Sequence, residues 1–205
     1  GVKAGVGFAY EFAGPAIHEL SMEERMTICN MSIEGGARCG YINPDEKTFT
    51  YIKDKQCAPK NENWNEALLW WKSLKSDANS IYDDVIKFDA SKVEPTVTWG
   101  ITPGQSIGIN QKIPFLEELS PNDQFIAEEA YEYMSFKPGQ SIKHTPVDVC
   151  FIGSCTNGRI SDLRVAANVL KDKKVSKNIK AFVVPGSEKV AIQAKQEGLD
   201  QIFKD

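Results

Sequence analysis

The chain has 205 residues, 41% hydrophobic and 25% charged, with a formal net charge of -4. That length allows one or two domains with a real hydrophobic core, and the acidic balance argues against a nucleic-acid surface. No apolar run approaches the ~20 residues of a membrane span, and five cysteines without framework spacing suit a reducing cytosol, so a soluble cytoplasmic protein is expected.

The first part reads as helical. Ser21 and Glu24 make a capping box, and Met22, Met26, Cys29 and Ile33 form an apolar stripe at helical spacing. If that helix persists to residue 34, Asn30 and Glu34 stand at i, i+4 beside the stripe. Judged by spacing alone, they are a surface pair ahead of the Gly35-Gly36 break. Asn43-Pro44 reads as a cap with proline at the first helical position, opening a helix through Phe49 and Ile52. Asn63 and Glu66 form a capping-box-like pair around Trp64, Ala67, Leu68, Trp71 and Leu74, which share one face. No basic patch accompanies that aromatic stripe, so it is expected to pack a core rather than stack bases.

Residues 82–100 alternate toward β-structure through Val85, Ile86, Phe88, Val97 and Trp99. A boundary placed near residues 85–100 divides the chain into a helix-rich part, 1–90, and a second part, 91–205. Residues 101–114 read as loop or short edge strand. Ser120-Pro121 starts a helix through Phe125, Ile126, Ala130 and Tyr133, which Pro138-Gly139 ends. Repeats and low-complexity segments are absent.

The stretch VCFIGSCTNGR, residues 149–159, carries the most information. An apolar run that reads as a buried strand stops at Gly153, a thiol follows in a Gly/Ser/Thr/Asn turn, and Ser161 can cap a helix bearing Leu163, Ala166, Ala167 and Leu170. A second strand, residues 181–184, ends at Pro185-Gly186-Ser187. Ser187 can cap a further helix carrying Val190, Ala191 and Ala194, which Gly198 would stop. Strand, helix, strand, helix is a βαβ unit and implies a parallel sheet, hence an α/β fold. Cys155 then lies at the carboxyl end of a strand, where open α/β sheets place their chemistry, on the same edge as the Pro185-Gly186-Ser187 turn. Cys150 lies inside the strand.

Three readings of Cys155 compete. It can be a half-buried structural thiol. A nucleophile elbow needs Gly-x-nucleophile-x-Gly, and here the second glycine comes one residue late, with neither His18 nor His144 in a recognisable base motif. A metal or cluster ligand needs thiolate partners, yet Cys29, Cys39, Cys57, Cys150 and Cys155 include no Cys-x-x-Cys.

Residues 152–163, IGSCTNGRISDL, closely resemble the first cluster-cysteine motif of the aconitase superfamily. Residues 20–49 (LSMEERMTICNMSIEGGARCGYINPDEKTF), Ala58-Pro59-Lys60, Val97-Thr98-Trp99-Gly100 before Pro103-Gly104-Gln105, and Val183-Val184-Pro185-Gly186-Ser187 are similar to the large subunits of bacterial-type 3-isopropylmalate dehydratases. The resemblance is collinear from about Gly5 to Phe203.

What it implies is an aconitase-type fold of three-layer αβα units with a mainly parallel sheet, serving a hydro-lyase with a [4Fe-4S] cluster. Three cysteines hold the cluster and one iron stays open to substrate, unlike the usual four-cysteine ligation. By the resemblance, Cys155 is the first cluster ligand and binds iron. By the same resemblance, Asn30 and Glu34 match the catalytic asparagine and glutamate that the family places beside the cluster and the iron-bound hydroxyl. The implied reaction interconverts 2-isopropylmalate and 3-isopropylmalate in leucine biosynthesis, with a separate small subunit as partner. Homoaconitase and aconitase-type hydratases are the alternatives within the enzyme class, and a non-catalytic folded fragment is the alternative outside it. The family's Cys-x-x-Cys, its carboxylate-clamping arginines and its upstream histidines and aspartates have no counterpart here. The chain is therefore expected to be a central piece of the subunit, inactive and without cluster alone. Gly158 stands where the family commonly has serine.

Overall fold

The computed structural model describes residue 2 and residues 4–204, and in it the chain forms two compact units. One is built on Asp84–Pro146; the other joins Gly5–Asp83 to the residues from Val147 onward. The partition differs from a division into 1–90 and 91–205. The N-terminal helices share a unit with the C-terminal βαβ segment, and the middle of the chain has a core of its own.

In the middle unit, β3 (Thr96–Thr98) and β4 (Ser106–Gly108) form an antiparallel hairpin, followed by α5 (Pro121–Met134). Trp99, Ile113, Ala127, Ala130 and Tyr131 make its core, with the Trp99 and Tyr131 rings stacked at 5.2 Å. The alternation seen across residues 82–100 yields strand only at 96–98. Val85, Ile86 and Phe88 have no ladder to join and stand exposed. Proline 121 opens α5 as expected, but the helix stops at Met134, where Ser135 turns left-handed at φ 55, ahead of Pro138-Gly139.

The other unit begins with β1 (Tyr10–Glu11), parallel to β2 (Gly40–Tyr41), and four helices: α1 (Pro15–Glu19), α2 (Met22–Asn30), α3 (Glu46–Lys53) and α4 (Glu62–Ser73). The capping box of α2 is present: Glu24 N donates to Ser21 Oγ at 3.3 Å, and Ser21 N donates to Glu24 Oε2 at 2.7 Å. The helix ends at Asn30, so Asn30 and Glu34 do not form an i, i+4 pair on one helix face. The cause is the return of β2. Gly40 passes so close that a Cβ there would sit 2.1 Å from Ser32 Oγ and 2.8 Å from Cys29 Cα, and the chain must turn over residues 31–36 to reach it.

Two predicted caps are also displaced. Asp45, rather than Asn43, caps α3, accepting from Lys47 N and Thr48 N at 3.1 and 3.2 Å. Asn43 instead joins Glu11 to the Ser76 backbone. Asn61, at φ 54, precedes α4, and Asn63 lies inside the helix. The aromatic stripe packs as expected. Trp71 stacks on the buried Phe49 at 6.3 Å and meets Trp64 edge-on at 5.6 Å. Arg25, 3% exposed, makes a bidentate pair with Asp45 at 2.7 and 2.8 Å and donates to the His18 carbonyl at 3.2 Å.

The C-terminal part is β5 (Val149–Ile152), α6 (Ile160–Leu170), β6 (Lys180–Val183), α7 (Glu188–Gln196) and α8 (Leu199–Lys204). β5 and β6 pair in parallel register, Phe151 opposite Phe182, which completes the expected βαβ unit. Leu163, Ala167, Ala194 and Leu199 form the core with Val183 against it. Strand β5 is not buried as its composition suggested: Phe151 is 61% and Phe182 50% exposed, because the helices cover only the side that Val183 faces. Helix α6 starts one residue before Ser161, capped at Arg159, whose N–H donates to Asp162 at 3.0 Å. Ser187 and Gly198 (φ 75) bound α7 as predicted. Among the described residues two of the three strand pairs are parallel, and the fold is α/β.

Candidate functional site at the carboxyl edge of the β5–β6 pair

The Cys155 turn is shaped by close backbone approaches. Gly153 sits at φ 128 with Val184 O only 2.2 Å from where a Cβ would be, a position and conformation open to glycine alone. Val184 N donates to Ile152 O at 2.8 Å, and Gly186 N donates to Gly158 O at 2.7 Å. These bonds lace the 153–158 turn to the Pro185-Gly186-Ser187 turn, so both open on one sheet edge as the βαβ reading required. A Cβ on Gly158 would lie 2.7 Å from Ser154 O and 2.8 Å from Gly186 N, which accounts for glycine at that position. Within the turn, Ser154 Oγ accepts from Thr156 N at 3.2 Å and Asn157 N at 2.6 Å, leaving Cys155 exposed at the apex.

Helix α2 docks against this turn from far along the chain. Asn30 Nδ2 donates to Thr156 Oγ1, a residue 126 positions away. Thr156 Oγ1 is in turn 3.8 Å from Cys155 Sγ. One turn back on α2, the Thr27 hydroxyl lies 2.9 Å from Asn157 Oδ1. Arg159 Nη1 donates to Thr27 Oγ1 and to the Glu23 carbonyl, both at 3.1 Å. Glu23, Thr27 and Asn30 follow one another at i, i+4, i+7 and form a polar row on the helix.

Two of the three sequence-predicted site residues, Asn30 and Cys155, thus meet at Thr156. Glu34 does not join them by a contact; it lies exposed in the turn after α2 and makes no side-chain hydrogen bond among the described residues. Thr156, Asn157 and Arg159 lie within the motif around Cys155, but no role of their own is read for them from the sequence, and Thr27 is not singled out there. The signal for Thr27 was the polar row itself, on the helix already marked by Asn30.

All five cysteines are free thiols. Among the described residues no group of three or more His, Cys, Asp or Glu side chains could hold a metal ion. The turn fits one ligand of a cluster: a solvent-open thiol, flanked by hydroxyl and amide groups rather than packed away. A cavity of about 380 Å³, lined by Leu163, Val183, Pro185 and Phe203, lies on the helix side of β6 and does not include Cys155. The strongly shifted carboxyl lies elsewhere: hydrogen bonding from Arg25 holds Asp45 down to about 2. At Cys29, next to Asn30, burial pushes the thiol up, and Cys39 nearby adds to the shift. No helix among the described residues is long and apolar enough to cross a membrane.

Residues 1–205 match the aconitase family (aconitate hydratase). The chain is 88% identical over 205 residues to the 3-isopropylmalate dehydratase large subunit of Prochlorococcus marinus (strain MIT 9301). It is 87% identical to that of strain AS9601, and 63% identical to that of Synechococcus sp. (strain CC9311). Each match covers 100% of this chain and 44% of the relative, so the chain spans less than half the length of these proteins. On the full-length match and the motif around Cys155, the chain belongs to the aconitase family.

Proposed function

We propose that the chain is a central part of the large subunit of a [4Fe-4S] hydro-lyase that isomerises 2-isopropylmalate and 3-isopropylmalate by dehydration and rehydration. The observation that carries this reading is the meeting of Asn30 and Cys155 at Thr156, which joins two widely separated motifs at one sheet edge. The relatives, large subunits of 3-isopropylmalate dehydratase, support the substrate and a small-subunit partner. Cys155 is one thiolate ligand of the cluster.

When bound, the cluster supplies Lewis acidity toward a leaving hydroxyl and a substrate carboxylate. The chain's own residues hold and orient. Asn30, fixed at the end of α2, presents its amide beside the ligand turn. Glu34, free in an exposed turn, is the carboxylate at the leaving hydroxyl, where it handles the proton that departs with water. Loss of water gives the alkene, and addition of water at the adjacent carbon completes the isomerisation.

The test is Cys155→Ala in the full-length subunit, with iron and acid-labile sulfide measured after anaerobic reconstitution. Loss of the cluster with unchanged far-UV circular dichroism is expected. A full complement of iron would remove Cys155 from the ligand set.

A further inference from the structure

Thr156 is held in an orientation that its own hydroxyl exploits. Its oxygen accepts from Asn30 Nδ2, and a hydroxyl that accepts still has its single hydrogen to give. The Cys155 sulfur is 3.8 Å away, within the longer reach of hydrogen bonds to sulfur. The pose is not a chance of one exposed rotamer, because the turn is pinned to α2. Among the described residues, every hydrogen bond joining residues 5–83 to residues 147–204 runs between α2 and the turn: Asn30 to Thr156, Thr27 to Asn157, and Arg159 to Thr27 and Glu23. Arg159 also caps α6, so the helix that follows the turn is fixed by the same residue.

We propose that Thr156 is a positioning residue that donates its hydroxyl hydrogen to the Cys155 sulfur, with Asn30 as the group that orients it. The proposal rests on the reading of Cys155 as a cluster ligand. A hydrogen bond to a ligating thiolate draws electron density from the sulfur, weakens its donation to iron and raises the reduction potential of the cluster. Asn30 therefore acts on the ligand through a neighbour, N–H to hydroxyl to sulfur, as well as standing beside the site.

The experiment uses the reconstituted full-length subunit with Cys155→Ala, Thr156→Val and Thr156→Ser. Iron content and the reduction midpoint are measured, the latter followed by electron paramagnetic resonance. Thr156→Val is expected to move the midpoint to more negative values at wild-type iron content, and Thr156→Ser to restore it. If the valine variant loses its iron, full loading of the serine variant still assigns the effect to the hydroxyl. An unchanged midpoint in loaded Thr156→Val overturns the proposal while leaving Cys155 as ligand. Equal damage from valine and serine overturns it too, placing the role in the threonine methyl. Full iron in Cys155→Ala overturns the ligand assignment and this proposal with it.

Discussion

Where α2 stops decides what Glu34 can do. A carboxylate on the helix beside Asn30 would be fixed to the Cys155 turn, whereas Glu34 sits in the following turn, exposed and without a side-chain hydrogen bond among the described residues. Such a group is free to meet a substrate and contributes nothing to the fold. Glu34→Gln in the full-length enzyme is thus expected to keep its iron and stability and to lose about 10²-fold or more in kcat, the scale of a lost proton-transfer group. An unchanged rate would demote Glu34. Arg25 and Asp45 behave in the opposite sense. Asp45 is held to about 2 in the fold, chiefly by hydrogen bonds from Arg25, below its ordinary value of 3.8. A depressed carboxyl stabilises the fold above its unfolded pKa, and that stability is lost as pH falls from about 4 to about 2. Arg25→Met is expected to cost about 3 kcal/mol at neutral pH, since it strands a half-buried carboxylate, and to flatten the acid limb of a urea-stability profile. Adding Asp45→Asn, which keeps an α3 cap, should recover part of the loss. A double mutant as weak as the sum of two independent changes would contradict the pairing.

Among the elements, α3 and α4 hold together through stacked aromatic rings, with the exposed ion pair Lys72–Glu46 at 3.2 Å beside them. Phe49→Ala, at a position 4% exposed under Trp71, is expected to cost about 3–5 kcal/mol in denaturant unfolding. Trp70→Ala, 63% exposed on the far side of the same helix, is expected to change stability by less than about 0.5 kcal/mol. Comparable losses at both would mean that the stripe does not define the packed face. That stripe was legible in the sequence because helical periodicity is local, and so were the Ser21 capping box, the Ser187 cap and the βαβ unit. What misled was tertiary. Asn43, Asn63 and Ser161 are all good caps by type, yet Asn43 is claimed by Glu11 and Ser76, and Arg159 starts α6 early through Asp162. The end of α2 depends on Gly40 crossing it, which no pattern within residues 21–34 announces. Cys155 and Asn30 are marked by motif resemblance; Thr156 lies inside the same motif, but a threonine in a polar turn has no periodicity to show which neighbour its hydroxyl serves.

On the scale of the molecule, the division into units follows from where the long-range bonds go. The middle unit has its own core, and Ile113 is 1% exposed at its centre. Ile113→Ala is expected to cost about 2–5 kcal/mol and to raise amide hydrogen exchange in residues 84–146, leaving protection in α6 and α7 unchanged. Equal loss of protection throughout would show that the two units unfold as one.

The unit that carries Cys155 is interrupted: it leaves off at Asp83 and resumes at Val147. A ribosome therefore releases α2 well before the turn on which it docks, with 130 positions between Thr27 and Asn157. Until residue 159 has emerged, the polar row of α2 lacks its partners on the turn and has only water and the internal bond from the Thr27 hydroxyl to the Glu23 carbonyl at 3.0 Å. The N-terminal helices wait half-assembled while the middle unit forms. Contacts of such sequence separation slow folding, and an unfinished partner surface is what chaperones hold. The same seam that brings Asn30 to the Cys155 turn thus cannot close until the chain has been synthesised past residue 159.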